Sequence, residues 1–357
     1  MWDVAIIGAG LAGLTCAREL TAAGYRVCLL DKSRGLGGRI ATRRVDSVPI
    51  DHGLRYWQPE TAGLQALTKD LLAAGVIEPW AVRAYEIRQR EVLTPVDHPT
   101  VYVAAAGVNA IAKYLARDFT PDKNLFTSYR AVSISGQPGE WTVEFDDGEA
   151  LKAKQCAVAV PAPQAAELLD TYTSKENRRQ VRSAAIAQIG AVEYWPCLSV
   201  FAGYDSQYRH KMGELSAESG PAGWMVTDKA GTSTKWVGLD SSKHSSTDGP
   251  VIVIHSKPAF AQQYINAGDL QPAASVLLRA CARKLVDWVA QPEWFKVHRW
   301  PYAWVKTFHP EAALSIGESL VCGGDWCSAT GGDQSLQSID YAYLSGLAMA
   351  KTLQESA

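Results

Sequence analysis

Val4–Ile7 is an unbroken apolar run, and it reads as a strand buried on both faces. Directly after it the spacing changes. Leu11, Leu14, Ala17 and Leu20 recur at helical intervals over Leu11–Ala23, and Gly24 supplies the left-handed residue that ends such a helix. Val27–Leu30 is a second apolar run, stopping at Asp31. Strand, glycine turn, helix and strand make one βαβ unit, so the chain opens as an α/β fold with parallel strands.

Further along, residues 64–75 repeat the helix-then-glycine pattern, Val101–Ala104 reads as a strand and Ala110–Ala116 as a helix. Residues 126–150 read as strands turning at "SGQPGEW" and "DDG", and "CAVAV" (156–160) is a buried strand stopped by Pro161 and Pro163. Between about 165 and 300 the pattern differs. Strand-like runs at 197–203 and 251–255, a helix near 273–290 and the polar stretch "DSSKHSSTDGP" (240–250) predict an antiparallel or mixed sheet with covering helices. "LVCGGDW" (320–326) is again strand, glycines and an acid, and 339–354 is a helix with small residues on one face. The expected architecture is a discontinuous Rossmann-type domain from 1–60, 100–165 and 305–357, with a substrate domain from 61–99 and 166–304 inserted into it.

Composition narrows the function classes. A formal net charge of −2 with scattered Lys and Arg gives no footprint for nucleic acid. No run of about 18 apolar residues is present to span a membrane, and no signal-peptide pattern opens the chain. The seven cysteines are spread out, with no C-x-x-C pair and no zinc spacing, so a reduced, cytoplasmic protein without a metal is expected.

Chemistry concentrates in the glycines. G-A-G-L-A-G (Gly8–Gly13) fits G-x-G-x-x-G between a strand and a helix. Gly8 permits the tight turn, Gly10 lets backbone reach a diphosphate, and Gly13 lets helix and strand close up, while Leu11 and Ala12 begin the helix whose N–H groups face phosphate. Asp31, 18 residues after Gly13, is placed to accept hydrogen bonds from a ribose diol, with Lys32 beside it.

A second glycine pair follows at once in "DKSRGLGGR". This stretch resembles the second signature of FAD enzymes of the amine-oxidase and glutathione-reductase-like kind, which implies that Gly37 and Gly38 pass by the flavin and Arg39 meets diphosphate. "DHGLRYW" (51–57) resembles the segment that runs beside the flavin ring in that superfamily, implying a close approach at Gly53 and pocket walls from His52, Tyr56 or Trp57. "VCGGDWCSATGGDQSLQSIDYAYLSG" (321–346) resembles the third signature, with Gly324 and Asp325 at the ribityl chain and Ser338 and Ile339 opening a helix aimed at the flavin. The cofactor expected is non-covalent FAD.

"YVAAAGVNAIAKYL", "TKWVGLDSSKH", "VIVIHSKPAFAQQYI", "VHRWPYAWV" and "CGGD" together resemble the renalase family over essentially the whole chain. The chain departs from that family where "LQSIDYA" stands in place of an "RVEGA"-like segment. The resemblance implies a monoamine-oxidase-like fold and oxidation of 2- and 6-dihydro isomers of NAD(P)H to NAD(P)+, with O2 as acceptor giving H2O2. Trp224, Trp236, Trp300, Trp304 and Tyr302 fall in the segments expected on the substrate side, where an aromatic wall stacks on a dihydropyridine. Lys243 and His244 are read as solvated loop residues or as contacts to a substrate phosphate, and Arg299 and Lys306 as comparable cases. No hydrolase, P-loop or metalloprotease motif occurs, so the chemistry is assigned to the cofactor with no dedicated catalytic residue. A flavin amine oxidase or desaturase on the same fold and a non-catalytic carrier of the Rab-escort kind are the alternatives.

Overall fold

A computed structural model describes residues 1–88, 92–172, 179–215, 223–244, 249–333 and 335–356. In its first sheet the strand Trp2–Ile7 (β1) pairs in parallel with Val27–Asp31 (β2) on one side and Ala150–Val158 on the other. The helix Leu11–Ala22 (α1) makes the crossover. Alternation along β1 divides the core. Val4 and Ile6 point into a cluster with Leu14, Ile111 and Leu353; Ala5 and Ile7 point into another with Trp141, Leu168 and Leu169.

This sheet joins distant parts of the chain. Leu320–Cys322 pairs in parallel with the C-terminal half of Ala150–Val158, beyond the point where Glu140–Phe145 leaves it. The final helix, Ser338–Glu355, lies on α1. Its small-residue face is explained there: a Cβ on Gly346 would sit 2.5 Å from the Ala12 carbonyl oxygen.

The second sheet has seven strands, in the order Trp294–Thr307, Glu193–Gly203, Val251–Ser256, Thr234–Leu239, Gly223–Asp228, Val82–Ile87, Leu93–Val96. It is antiparallel except where Gly223–Asp228 meets Val82–Ile87. Helix Gln271–Lys284 covers it with Leu277, Leu278 and Cys281.

Several elements differ from expectation. The helix near 273–290 is two pieces, Gln271–Lys284 and a short turn Asp287–Ala290, because the backbone leaves helical geometry at Leu285 and Val286. Trp294–Thr307 is a strand despite Pro301, which an edge strand tolerates. Helices Ala162–Asp170 and Arg179–Gly190 send Leu168, Leu169 and Ile189 into a first-sheet cluster, although residues from 166 onward were assigned to the substrate domain. The polar stretch 240–250 begins as a buried turn, Asp240–Lys243, and its residues 245–248 lie outside the described set. Among the described residues no helix is long and apolar enough to cross a membrane.

Candidate active site

Both sheets line a cleft of about 1710 Å³. Among the residues lining it are Gly8, Gly10, Leu11, Ala12, Asp31, Lys32, Gly37, Gly38, Arg39, Gly53, Gly324, Asp325, Ser338 and Ile339, all singled out from the sequence. Gly13 is the exception, and its role is steric. A Cβ there would lie 1.9 Å from the Gly8 carbonyl oxygen, so only glycine lets α1 start against β1.

Gly10 is different. Its backbone is extended and open to any residue, yet a Cβ on it would meet no protein atom within 4 Å. The side chain that is missing would project into the cleft. No side chain caps α1, and its first residues Leu11 and Ala12 line the same space, so the unpaired N–H groups of a helix start are available to an anion. Asp31 organises this turn. Its carboxylate accepts the Ala9 N–H at 2.8 Å and the Ser33 N–H at 2.7 Å, one on each oxygen, leaving lone pairs on both for a diol.

Arg39 and Asp325 are separated by 286 residues and form a bidentate pair, at 2.7 and 2.6 Å. Arg39 also donates to the Tyr302 carbonyl at 3.0 Å. Burial works against the guanidinium charge, but the Asp325 carboxylate outweighs it and holds the Arg39 pKa above its ordinary value. The second and third glycine signatures therefore grip each other across the cleft.

The segment from Asp51 to Tyr56 forms part of the cleft wall and is anchored repeatedly. A Cβ on Gly53 would lie 2.2 Å from the Arg39 carbonyl oxygen, so the two segments touch through backbone. The Trp300 indole donates to the His52 carbonyl at 3.0 Å. Lys243 Nζ donates to the Arg55 carbonyl at 2.6 Å and to Asp240 at 2.7 Å, with Asp51 at 3.7 Å. The Asp51 N–H donates to Asp240, and the Asp51 carboxylate accepts the Val108 N–H and the Thr42 hydroxyl. His244 Nδ1 donates to the Ala105 carbonyl while Nε2 faces Asp240 at 3.4 Å. Burial and the neighbouring Asp240 raise the Asp51 pKa. Burial opposes ionisation of Asp240 too, but Lys243 and His244 prevail and lower it to about 2.

This corrects the reading of Lys243 and His244 as solvated residues or phosphate contacts. The Lys243 side chain is 0% exposed, and it stands between two buried acids behind the wall. The signal missed was Asp240 three positions earlier and Asp51 in a remote segment. Although Asp51, Asp240 and His244 have metal-ligand chemistry, the ammonium already stands among them.

The second sheet supplies Cys197, Lys235, His255, His298, Trp300, Tyr302 and Trp304. His52 stacks on Trp300 at 5.5 Å and meets His298 edge-on at 5.0 Å. Burial, then His298, lowers the His52 pKa to about 4; burial likewise depresses His255 and His298. All three rings are thus held neutral. Burial pushes the Cys197 thiol up to about 12, so no thiolate faces the cleft from that position. Cys322 and Cys327 are buried, with thiol pKa values raised by burial.

His52, Tyr56, Trp300 and Tyr302 line the cleft as read from the sequence; His244 and three tryptophans do not. Trp57 is buried in the first core, its indole donating to Thr68 at 2.8 Å. Trp224 packs in the core beneath the second sheet. Trp236 lies behind the wall, 5.6 Å from His255, ring to ring. Large buried rings serve cores as readily as pockets, and composition does not separate the two. Lys235, Arg55, His255 and His298 were not singled out. The spacing His298, Trp300, Tyr302, Trp304 was the available signal, blurred by a bulge opposite Pro196.

An extended dinucleotide with a central diphosphate, such as FAD, fits this donor set: an open Cβ direction at Gly10, an uncapped helix start, and a carboxylate with spare lone pairs. Comparisons agree with the geometry. Residues 6–71 match an NAD(P)-binding Rossmann-like domain, and residues 77–354 match flavin containing amine oxidoreductase. A putative flavin-containing monoamine oxidase of Mycobacterium tuberculosis is 42% identical over 69 residues, 19% of this chain and 15% of that protein. Putrescine oxidase of Kocuria rosea is 39% identical over 69 residues, 19% and 14% of the two chains. The matched stretch thus spans only a small part of these relatives. At the level of fold the likeness extends along the whole chain: a putrescine oxidase solved with putrescine bound aligns over 99% of this chain and 98% of its own, with TM-score 0.70 at 13% identity. A putative protoporphyrinogen oxidase from an Exiguobacterium species aligns over 100% and 99%, with TM-score 0.68 at 13% identity. Because the amine oxidoreductase match alone covers more than three quarters of the sequence, the chain belongs to the flavin-containing amine oxidoreductase family.

Proposed function

We propose that this flavoprotein is an oxidase of dihydronicotinamide dinucleotides, taking 2- and 6-dihydro isomers of NAD(P)H to NAD(P)+ and passing the electrons to O2 to give H2O2. The observation that supports this substrate is the character of the second-sheet wall. Trp300, Tyr302, Trp304 and three neutral imidazoles line it, with Lys235 and Arg55 facing the same space. Among the described residues that wall carries no carboxylate. A flat uncharged ring stacks on such a surface, whereas a protonated amine would meet two cations and no counter-charge.

Bound FAD supplies the hydride acceptor and the route of the electron pair to O2. The chain's own residues have other work. Gly10, Leu11 and Ala12 would hold the diphosphate, Asp31 a ribose, and Arg39 with Asp325 the junction between diphosphate and ribityl chain. Ser338 and Ile339 present the positive end of a helix to the cleft, which favours negative charge there. A ring that gives up hydride directly has no N–H proton to lose. A general base is therefore unnecessary, and His52, held neutral, acts as a stacking surface beside Trp300.

Amine oxidation is the second reading, favoured by the names of the sequence relatives. Anaerobic mixing separates the two. FAD-loaded protein should bleach within one turnover with borohydride-generated dihydronicotinamide isomers and stay yellow with putrescine or aromatic monoamines. Bleaching by amines alone would overturn the proposal.

A further inference from the structure

We propose that Lys235 and Arg55 form an oxyanion-binding subsite in the second-sheet wall, taking a phosphate or carboxylate group of the substrate. This rests on the reading in which FAD occupies the glycine-lined side of the cleft and leaves this wall to the substrate.

Lys235 is aimed by a defect in the sheet. Thr234 pairs with Ser256 and Trp236 with His255, so Lys235 is the extra residue of a β-bulge. Bulges turn a side chain out of the regular ladder and are enriched beside active sites. Here the turned side chain lines the cleft, its Nζ 4.0 Å from the centroid of Trp304. Arg55 is aimed from the other side. The buried Lys243 ammonium fixes its carbonyl, and its guanidinium carbon lies 5.3 Å from the Tyr56 ring and 5.4 Å from the Trp236 ring.

Neither cation has a carboxylate partner among the described residues. Three other shielded cations do have one: Arg39 pairs with Asp325, Lys243 with Asp240 and Lys284 with Asp228. Two like charges sharing one partly dry wall repel, and burial, then Arg55, makes the Lys235 ammonium easier to deprotonate. An arriving oxyanion relieves that repulsion and receives an Arg fork and a Lys point charge together. His255, across the bulge from Lys235, is buried, lines the cleft and has no hydrogen bond of ordinary geometry on either ring nitrogen.

The test uses the FAD-loaded holoprotein, in which the cofactor's own diphosphate site is filled. Inorganic pyrophosphate is titrated in one arm and sodium acetate in another, against sodium chloride at matched ionic strength, while the flavin absorbance is followed. A saturable perturbation by either oxyanion is expected. Its apparent affinity should fall about tenfold or more in Lys235→Met and in Arg55→Met, the loss of one charge-assisted contact, and recover in Lys235→Arg. The preferred arm tells phosphate from carboxylate. A second readout needs no variant: pyrophosphate or acetate should slow acylation of Lys235, read by peptide mass spectrometry, without slowing that of exposed Lys152. No saturable perturbation together with unprotected Lys235, or affinities unchanged in both Met variants, overturns the subsite. The two proposals fail separately: dihydronicotinamides that bleach the flavin while oxyanions do nothing sink only the subsite, and oxyanion binding without such bleaching sinks only the substrate.

Discussion

Two single residues show how differently a side chain can be constrained here. At Gly10 the constraint comes from the ligand. A Cβ meets no protein atom within 4 Å, so alanine costs only the weaker cap, up to about 1 kcal/mol. Gly10→Ala is expected to lower the melting temperature of the flavin-free protein only slightly while weakening FAD binding by about tenfold, or about 1.4 kcal/mol, in a fluorescence titration. At Lys243 the constraint is internal. Removing the ammonium strands two buried carboxylates, so Lys243→Met should cost about 4 kcal/mol in urea unfolding. Adding Asp240→Asn should recover part of that loss, because the two sites share one network. Full additivity of the two substitutions would show that the network is not coupled.

Among elements, the contact between α1 and the final helix matters most for the cofactor side of the cleft, since each helix opens with residues that line it. Their approach depends on Gly346, whose Cβ would crowd the Ala12 carbonyl at 2.5 Å and the Thr15 Cβ at 2.7 Å. Gly346→Ala should destabilise the protein by about 2 kcal/mol through overpacking and shift the helix start away from the cleft. A melting temperature equal to the parent's would refute the packing argument. The final helix is also tied at its start. Asp340 accepts the Gln337 N–H in a capping box and the N–H groups of Glu60 and Thr61, joining the start of a second helix, Ala62–Ala73, to its own.

For the whole molecule the neutral imidazoles set the acid limit. The His52 pKa is about 4 in the fold against 6.5 in the unfolded chain, so the unfolded state binds the proton first. The stability it contributes is complete above pH 6.5 and is lost as pH falls from there to about 4, amounting to roughly 3 kcal/mol. His255 and His298 act in the same direction. Asp240, lowered to about 2, adds a loss only at more acid pH, below its ordinary 3.8. Urea midpoints of the flavin-free protein between pH 7 and 4 should therefore decline, and His52→Gln should flatten the decline.

Local rules made the cofactor side legible. Glycine spacing after a strand, a helix start without a cap and an acid at the next strand end are requirements that short segments meet by themselves, and the residues named on that basis line the cleft, apart from Gly13, which packs α1 onto β1. The substrate side was not legible in the same way. Whether a tryptophan joins a core or a wall depends on which face of a distant strand it meets, and Trp224 and Trp236 went inward while Trp300 went outward. Lys235 owes its direction to a bulge in the pairing with another strand, and Lys243 is buried only because Asp51, nearly two hundred residues away, comes to meet it. Sequence alone determined that an extended dinucleotide has a place to lie, since that follows from backbone conformation within a few residues. Tertiary structure alone decided the charge and shape of what faces it, since those arise from pairings between segments that no local spacing encodes.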